Sequence, residues 1–280
     1  MSNLDQATGL RRLLEIQKPR VFTFLSALPE EEKSGMLINL GAALAAKGLR
    51  VLMVDARSST SSIGAWVAAN ADQTLLDVAR QQRTMDEVIK QISAGLSVAM
   101  LARQQLISAN IQPENCRRLS RAFDVAVHKS DLVLVDAQLD LHDAFPLSSF
   151  DDSELVIQVS ANPATIKSAY ALIKRVSNRI GRRHYSILVT DASEAEAKRV
   201  FENLEQTASR YLAVPLNFLG FVPHDAYLQK ATGLGRSVMD AFPFAKSSQA
   251  FVRLAGSLSR PTTLNNGSRH FSELGADLKI

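Results

Sequence analysis

The sequence predicts an α/β protein in three layers, with helices on both faces of a mostly parallel, twisted sheet. Residues 21–57 show the pattern strand, loop, helix, strand, which is the βαβ unit of a parallel sheet. Short apolar runs then alternate with stretches of helical spacing as far as residue 258. The 280 residues are 46% hydrophobic, which is enough for one sizeable core.

The first half of the chain provides the βαβ unit and the elements that extend it. Apolar residues recur at helical spacing between Met36 and Ala45. Thr84 and Glu87 form a capping-box pattern, which predicts the start of a further helix. The predicted elements are strands over 21–25, 51–54 and 95–101 and helices over 1–16, 36–45, 74–79, 84–92 and 113–128.

The second half continues the alternation of strands and helices. Residues 132–135 are the most hydrophobic strand, so we expect them at the centre of the sheet, covered on both faces. This strand carries Asp136 to the carboxyl edge of the sheet, beside the loop that contains Lys33. The other predicted elements are strands over 154–159, 185–189 and 215–222, helices over 163–180, 193–211, 225–231 and 247–258, and a loop over 139–150.

Composition divides the chain into three segments and limits its function. We expect an N-terminal helix and linker over 1–18, the α/β domain over 19–259 and a flexible tail over 260–280. A single cysteine and the lack of an apolar run of about 20 residues predict a cytoplasmic protein without a membrane span. The net charge is +4, and the basic clusters are not interleaved with aromatic residues, so no nucleic-acid partner is expected. A peripheral membrane contact of the tail is the alternative, through Phe271, Leu274 and Leu278.

The loop after the first strand lacks the glycines that a phosphate-binding loop needs. Lys33 and Ser34 stand where such a motif would end, but residues 27–32 are ALPEEE. Pro29 removes one backbone donor, and each contact of a glutamate with a phosphate near 4 Å would cost about 1–4 kcal/mol. We therefore expect the opening turn of a helix over 29–34, with its own glutamates at the positive end of the helix dipole.

From about residue 5 to about residue 258, the chain resembles the deviant-Walker ATPases of the MinD/ParA class, which have the P-loop NTPase fold. The segments that carry this resemblance are NLGAALAAKGLRVLMVDA at 39–56, SDLVLVD at 130–136 and LGFVPHD at 219–225. The segment DQATGLRRL at 5–13 is similar to the DQAxxLR activation helix of the FlhG/FleN flagellar-number regulators. Residues 161–176 are similar to a later segment of the same regulators.

The departures from this family fall on its nucleotide contacts. When the family's loop GKGGVGKT is aligned without gaps, its signature lysine is Leu28 here. The second aspartate after the second strand, which would orient the attacking water, is Arg57, and the asparagine that contacts adenine is Thr190 or Asp191. The loss of several contacts together implies a pseudo-ATPase with no catalytic residues, metal or cofactor, and ATP with Mg²⁺ is kept only as the alternative. The residues that remain for nucleotide binding are Lys33, Ser34, Asp55 and Asp136.

Asp136 has two interpretations. In an active relative the equivalent aspartate would organise Mg²⁺ through water, but a lone carboxylate without phosphates holds Mg²⁺ poorly. The other interpretation, which we favour, is an ion pair between Lys33 and Asp136. The Asp and His residues of 140–143 lack a second histidine at ligand spacing, so no metal site is predicted there. In the family the loop 139–150 responds to nucleotide, and here we expect it to be fixed or to contact a partner.

The resemblance implies a regulator of flagellar number or placement. In the family the DQAxxLR helix stimulates FlhF, a GTPase of the signal-recognition-particle (SRP) class, so the resemblance implies an FlhF-like partner that would place the protein at the cell pole. A flagellar transcription regulator or switch component is a further candidate partner. The alternatives are an active or weakly ATP-binding MinD/ParA-type ATPase in flagellar or cell-division positioning. The residues carried over as contacts to the GTPase are Asp5, Gln6, Ala7, Leu10 and Arg11.

Overall fold

The computed structural model describes residues 19–28, 30–57, 63, 73–103 and 112–260. The strands of this part of the chain are β1 (Arg20–Ser26), β2 (Val51–Asp55), β3 (Lys90–Ser93), β4 (Leu96–Met100), β5 (Leu132–Asp136), β6 (Glu154–Ser160), β7 (Tyr185–Thr190) and β8 (Leu216–Val222). The helices are α1 (Glu30–Ala46), α2 (Leu75–Ala79), α3 (Met85–Val88), α4 (Pro113–Val127), α5 (Pro163–Ile180), α6 (Glu194–Leu212), α7 (Ala226–Gly233), α8 (Val238–Ala241) and α9 (Lys246–Ser259).

The strands form one sheet in the order β3-β4-β2-β5-β1-β6-β7-β8. Every neighbouring pair is parallel except β3 and β4, which pair antiparallel at one edge. All residues of β5 are buried, and β5 lies between β2 and β1, as its hydrophobicity predicts. The predicted α/β class with a mostly parallel sheet is therefore confirmed.

Helices cover both faces of the sheet and create two cores. In β2, Leu52 and Val54 join one hydrophobic cluster, and Val51 and Met53 join the other, because successive strand residues point to opposite faces. The first cluster contains buried side chains of α4, α5 and α6, and the second contains those of α1 and α9. The arrangement is the predicted three layers, helix, sheet and helix.

The position of α1 depends on a close approach to β2. A Cβ atom added at Gly41 would lie 2.9 Å from Met53 Sδ and 3.1 Å from Leu96 Cδ1, so a side chain there would have to displace the side chains of Met53 and Leu96. Leu37, Leu40 and the neighbouring apolar residues of α1 are fully buried against the same face. This packing fixes the helix whose first turns carry Lys33 and Ser34.

Two short elements differ from the predicted ones. The helix expected over 84–92 ends at Val88, and Lys90–Ser93 forms the edge strand β3 instead. The start of that helix is as predicted, because the Thr84 N–H donates to Glu87 Oε2 at 2.7 Å. Helix α8 is also absent from the predicted elements.

Arg20 joins the first strand to the end of the last helix. Its guanidinium forms a bidentate pair with Glu154, with Nε–Oε1 at 2.8 Å and Nη2–Oε2 at 2.9 Å. Its Nη1 donates to the backbone carbonyls of Leu258 at 2.7 Å and Arg260 at 2.6 Å. Both ends of the described core therefore lie at the amino edge of the sheet.

The terminal segments lie outside the described residues. This applies to the segment over 1–18, with its predicted helix and partner residues, and to all of the predicted tail after Arg260. Among the helices of the described part, none is both long and apolar enough to cross a membrane.

Candidate functional site

Two neighbouring strands and one helix bring the four predicted nucleotide-site residues to one edge of the sheet. Asp55 and Asp136 are register partners at the carboxyl ends of β2 and β5. Helix α1 begins at the same edge and carries Lys33 and Ser34 near its start. The exposed fractions of Lys33, Ser34, Asp55 and Asp136 are 2%, 4%, 0% and 0%. The structure therefore places four polar or charged side chains where a parallel sheet usually binds a ligand.

Lys33 contacts one carboxylate and one backbone carbonyl. Its Nζ lies 2.5 Å from Asp136 Oδ1 and donates a hydrogen bond to the Ala137 carbonyl oxygen at 2.6 Å. The predicted ion pair between Lys33 and Asp136 is confirmed. Burial lowers the pKa of the Lys33 ammonium, while the charge of Asp136 opposes this by favouring the protonated form. The pair holds the first turns of α1 against the end of β5.

Arg57 is the member of this cluster that sequence reasoning missed. It was considered only as the replacement of a water-orienting aspartate. In the structure its guanidinium Nη1 lies 3.6 Å from Asp136 Oδ1, and its backbone N–H donates to Asp55 Oδ1 at 3.1 Å. Only 5% of the residue is exposed. The available signal was an arginine two positions after a strand that ends on a buried aspartate.

The two oxygens of the Asp136 carboxylate differ in their contacts. Both are buried, and Oδ2 has no hydrogen-bond donor among the described residues. Oδ1 lies within ion-pair distance of Lys33 and Arg57, and the Lys33 ammonium also donates to the Ala137 carbonyl oxygen. Buried acceptors are usually paired, so Oδ2 remains able to accept from a small donor.

The loop before α1 has already used two of its backbone donors. The Ala27 N–H donates to the Gln158 carbonyl oxygen, and the Leu28 N–H donates to Ser26 Oγ, each at 3.0 Å. A phosphate-binding loop must instead point such N–H groups at the ligand. The two donors therefore do not contribute to a phosphate cradle.

The mouth of the site is acidic. Partial burial raises the pKa of the Glu32 carboxyl, and the nearby negative charge of Asp191 raises it further. Asp191, one of the two residues aligned with the adenine-contacting asparagine, pairs with His224 at 2.5 Å on the surface. The other, Thr190, is buried and accepts a hydrogen bond from Gln158 Nε2 at 3.3 Å. Neither side chain presents the paired amide donor and acceptor of an asparagine.

A magnesium ion with a nucleoside triphosphate does not fit this donor set. Lys33 and Arg57 already face Asp136, so a divalent cation at Oδ1 would lie next to two positive charges. The four buried groups, Lys33, Arg57, Asp55 and Asp136, carry two positive and two negative charges and balance without a ligand. Elsewhere in the described chain, no group of three or more His, Cys, Asp or Glu side chains is arranged to hold a metal ion.

The loop after β5 is packed against the rest of the described chain, and whether it is fixed or contacts a partner stays a prediction. Asp140 is buried, and its Oδ1 accepts from the N–H groups of His142 at 2.8 Å and Ala144 at 3.0 Å. Asp143 pairs with Arg175 of α5 at 2.5 Å. The buried apolar residues of this loop are Leu139, Ala144, Phe145, Leu147 and Phe150. Its conformation therefore comes from contacts within the chain.

The predicted contacts to a GTPase remain predictions. They fall on Asp5, Gln6, Ala7, Leu10 and Arg11, which lie outside the described residues.

The chain is similar in sequence to a curated protein and similar in structure to many solved proteins. No family model matches the chain. The antiactivator FleN of Pseudomonas aeruginosa is 28% identical over 224 residues, which cover 80% of this chain and 80% of FleN.

The similar solved structures include MinD cell division proteins and a ParA family ATPase. The MinD cell division protein of Aquifex aeolicus superposes with a TM-score of 0.64 and 20% identity, covering 86% of this chain and 98% of its own. A ParA family ATPase from Chlorobium tepidum gives a TM-score of 0.64 and 22% identity, with the same coverage of 86% and 98%. MinD of Pyrococcus horikoshii, solved with Mg-ADP, gives 0.62 and 18%, covering 86% of this chain and 96% of its own. The chain therefore has the fold of the MinD and ParA ATPases and is similar in sequence to the regulator FleN, as its own motifs predict.

Proposed function

We propose that this protein regulates flagellar number or placement as a MinD-like pseudo-ATPase. Its N-terminal segment binds an SRP-type flagellar GTPase similar to FlhF and stimulates that GTPase in trans. The contacts are those of the DQAxxLR motif, Asp5, Gln6, Ala7, Leu10 and Arg11. A flagellar transcription regulator or switch component is a second partner, and the GTPase carries the protein to the cell pole.

The observation that supports this proposal most is the balanced charge cluster at the carboxyl edge of the sheet. Lys33, Arg57, Asp55 and Asp136 are all 5% exposed or less, and their charges cancel without a nucleotide. A core whose charges cancel internally needs no bound triphosphate to keep its conformation. The similarity to FleN supports the flagellar role, and the DQATGLR sequence at 5–11 supports the GTPase as partner.

ATP binding provides the first test. We expect calorimetric titration of the full chain with ATP and Mg²⁺ to give no saturable heat up to about 1 mM, because the loop donors are occupied and the mouth is acidic. Ser34→Ala is the matched variant, since it removes one hydroxyl from the remaining nucleotide set. Micromolar binding that Ser34→Ala weakens would contradict the proposal and favour the ATPase alternative.

GTP turnover by the partner provides the second test. We expect the full chain to raise the GTPase rate of the SRP-type protein from the same organism, without added ATP. Deleting residues 1–18 is expected to return that rate to the basal value, because this segment carries the DQAxxLR motif to which the proposal assigns the contact.

A pair of neighbouring arginines gives a matched control for this assay. Arg11→Ala changes a residue of the DQAxxLR motif, whereas Arg12→Ala removes the same charge one position outside it. Stimulation should fall for Arg11→Ala and stay near the wild-type level for Arg12→Ala. Equal effects of the two substitutions, or full stimulation by the deletion variant, would count against the N-terminal contact.

A further inference from the structure

Arg57 lies where a positive charge is needed between two buried carboxylates. Asp55 and Asp136 face each other in register on β2 and β5, and each is 0% exposed. Lys33 is 2.5 Å from Asp136 and is also committed to the Ala137 carbonyl. Arg57 contacts both aspartates, through its backbone N–H to Asp55 and its guanidinium near Asp136. Two buried carboxylates with a single ammonium would carry an excess negative charge.

We propose that Arg57 is an internal substitute for a divalent cation. Its guanidinium provides a second positive charge beside Asp136, and its backbone N–H holds Asp55, so that the carboxyl edge of the sheet keeps one conformation without metal. The inference deepens the proposed pseudo-ATPase function and rests on it, since both require a core that does not use Mg²⁺-nucleotide. In addition, we infer that the Arg57 side chain closes the cation site and that replacing Arg57 with alanine opens this site.

The chemistry of the side chain supports this role. A guanidinium stays protonated at every physiological pH and is more weakly hydrated than an ammonium, so it is suited to burial. The guanidinium lies 3.6 Å from Asp136 Oδ1, so it compensates the negative charge of the carboxylate without a hydrogen bond to Oδ1. Oδ2 of the same carboxylate has no aligned donor among the described residues and is therefore a ready oxygen ligand once the guanidinium is removed. Carboxylate oxygens are the ligands that Mg²⁺ and Mn²⁺ prefer.

The test is the metal dependence of thermal unfolding of the full chain. Melting is followed by circular dichroism in EDTA and in millimolar MnCl₂, without nucleotide. We expect the wild-type melting temperature to be the same in both. For Arg57→Ala we expect a lower value in EDTA and a rise of about 3–6 °C with Mn²⁺, as mass action predicts for a cation that binds only the folded state.

Two further variants separate the charge from the side chain. Arg57→Lys retains a cation and should show no response to Mn²⁺. Arg50→Ala removes an arginine paired with Asp131 on the surface, with 65% of the arginine side chain exposed, and should also show none. If Arg57→Ala does not fold in EDTA, folding restored by Mn²⁺ supports the proposal, and failure to restore it overturns it.

Direct Mn²⁺ binding to the wild type is the second measurement. Electron paramagnetic resonance of free Mn²⁺ should show no bound fraction with wild-type protein and a bound fraction with Arg57→Ala. Mn²⁺ binding by the wild type would overturn the proposal. So would an Arg57→Ala variant that is folded but neither binds Mn²⁺ nor is stabilised by it. Neither experiment contains nucleotide or GTPase. A negative result here is therefore distinguishable from a failure of the proposed partner function, which the GTPase assay tests.

Discussion

Replacing Lys33 with methionine is expected to lower the free energy of unfolding by about 3 kcal/mol. The substitution leaves the fully buried carboxylate of Asp136 without its nearest cation, which lies 2.5 Å away in the wild type. Methionine has nearly the length and shape of the lysine stem, so the packing of α1 is retained. Arg57 still lies 3.6 Å from the carboxylate, which places the loss at the low end of the range for a broken buried pair. Urea unfolding measures the change.

Two controls separate the ion pair from general effects of the substitution. Lys33→Met combined with Asp136→Leu should recover part of the loss, because the buried carboxylate is removed together with its nearest cation, while Arg57 also loses its contact with Asp136. Arg50→Met breaks the exposed pair with Asp131 and should cost less than about 1 kcal/mol. If Lys33→Met costs no more than Arg50→Met, the buried pair does not hold α1 to the sheet.

The fold was predictable where the signal is local in sequence. The apolar run of β5 and the spaced apolar residues of α5 and α6 define their elements without reference to the rest of the chain. The edge strand β3 was missed because three of its four residues, KQIS, are polar, and the segment becomes a strand only by pairing with β4. Its alternating burial depends on a partner that local pattern does not identify.

In the candidate site, too, some contacts could be predicted from the sequence and others depend on residues far apart in the chain. Lys33 and Asp136 were expected to meet because parallel strands end at one edge and α1 starts there. The approach of Arg57 to Asp136 was not expected, since it joins the end of β2 to the end of β5, and only the register of two strands far apart in sequence reveals it. The same reason applies to the loop donors, because the acceptor of the Ala27 N–H is the backbone of β6.

Grafting a glycine-rich loop is expected to restore nucleotide affinity. In this variant residues 27–34 are replaced by GKGGVGKT, which removes the proline and the three glutamates and introduces four glycines. Each contact of a glutamate with a phosphate costs about 1–4 kcal/mol, and every 1.4 kcal/mol is a factor of about ten in affinity. We therefore expect calorimetry to show ATP binding at least about 100-fold tighter than that of the wild type.

ATP turnover by the same graft is expected to stay at background. Arg57 still faces Asp136, so the divalent cation remains excluded, and position 57 provides no carboxylate to orient water. Adding Arg57→Asp to the graft removes the guanidinium and supplies a carboxylate at position 57. Only this combination should show Mg²⁺-dependent phosphate release. The graft with Arg57→Ala is the matched control, because it opens the cation site without supplying a carboxylate and should gain metal-dependent affinity but no turnover. Hydrolysis by the loop graft alone would mean that the guanidinium does not close the site, and that the loop was the sole barrier to catalysis.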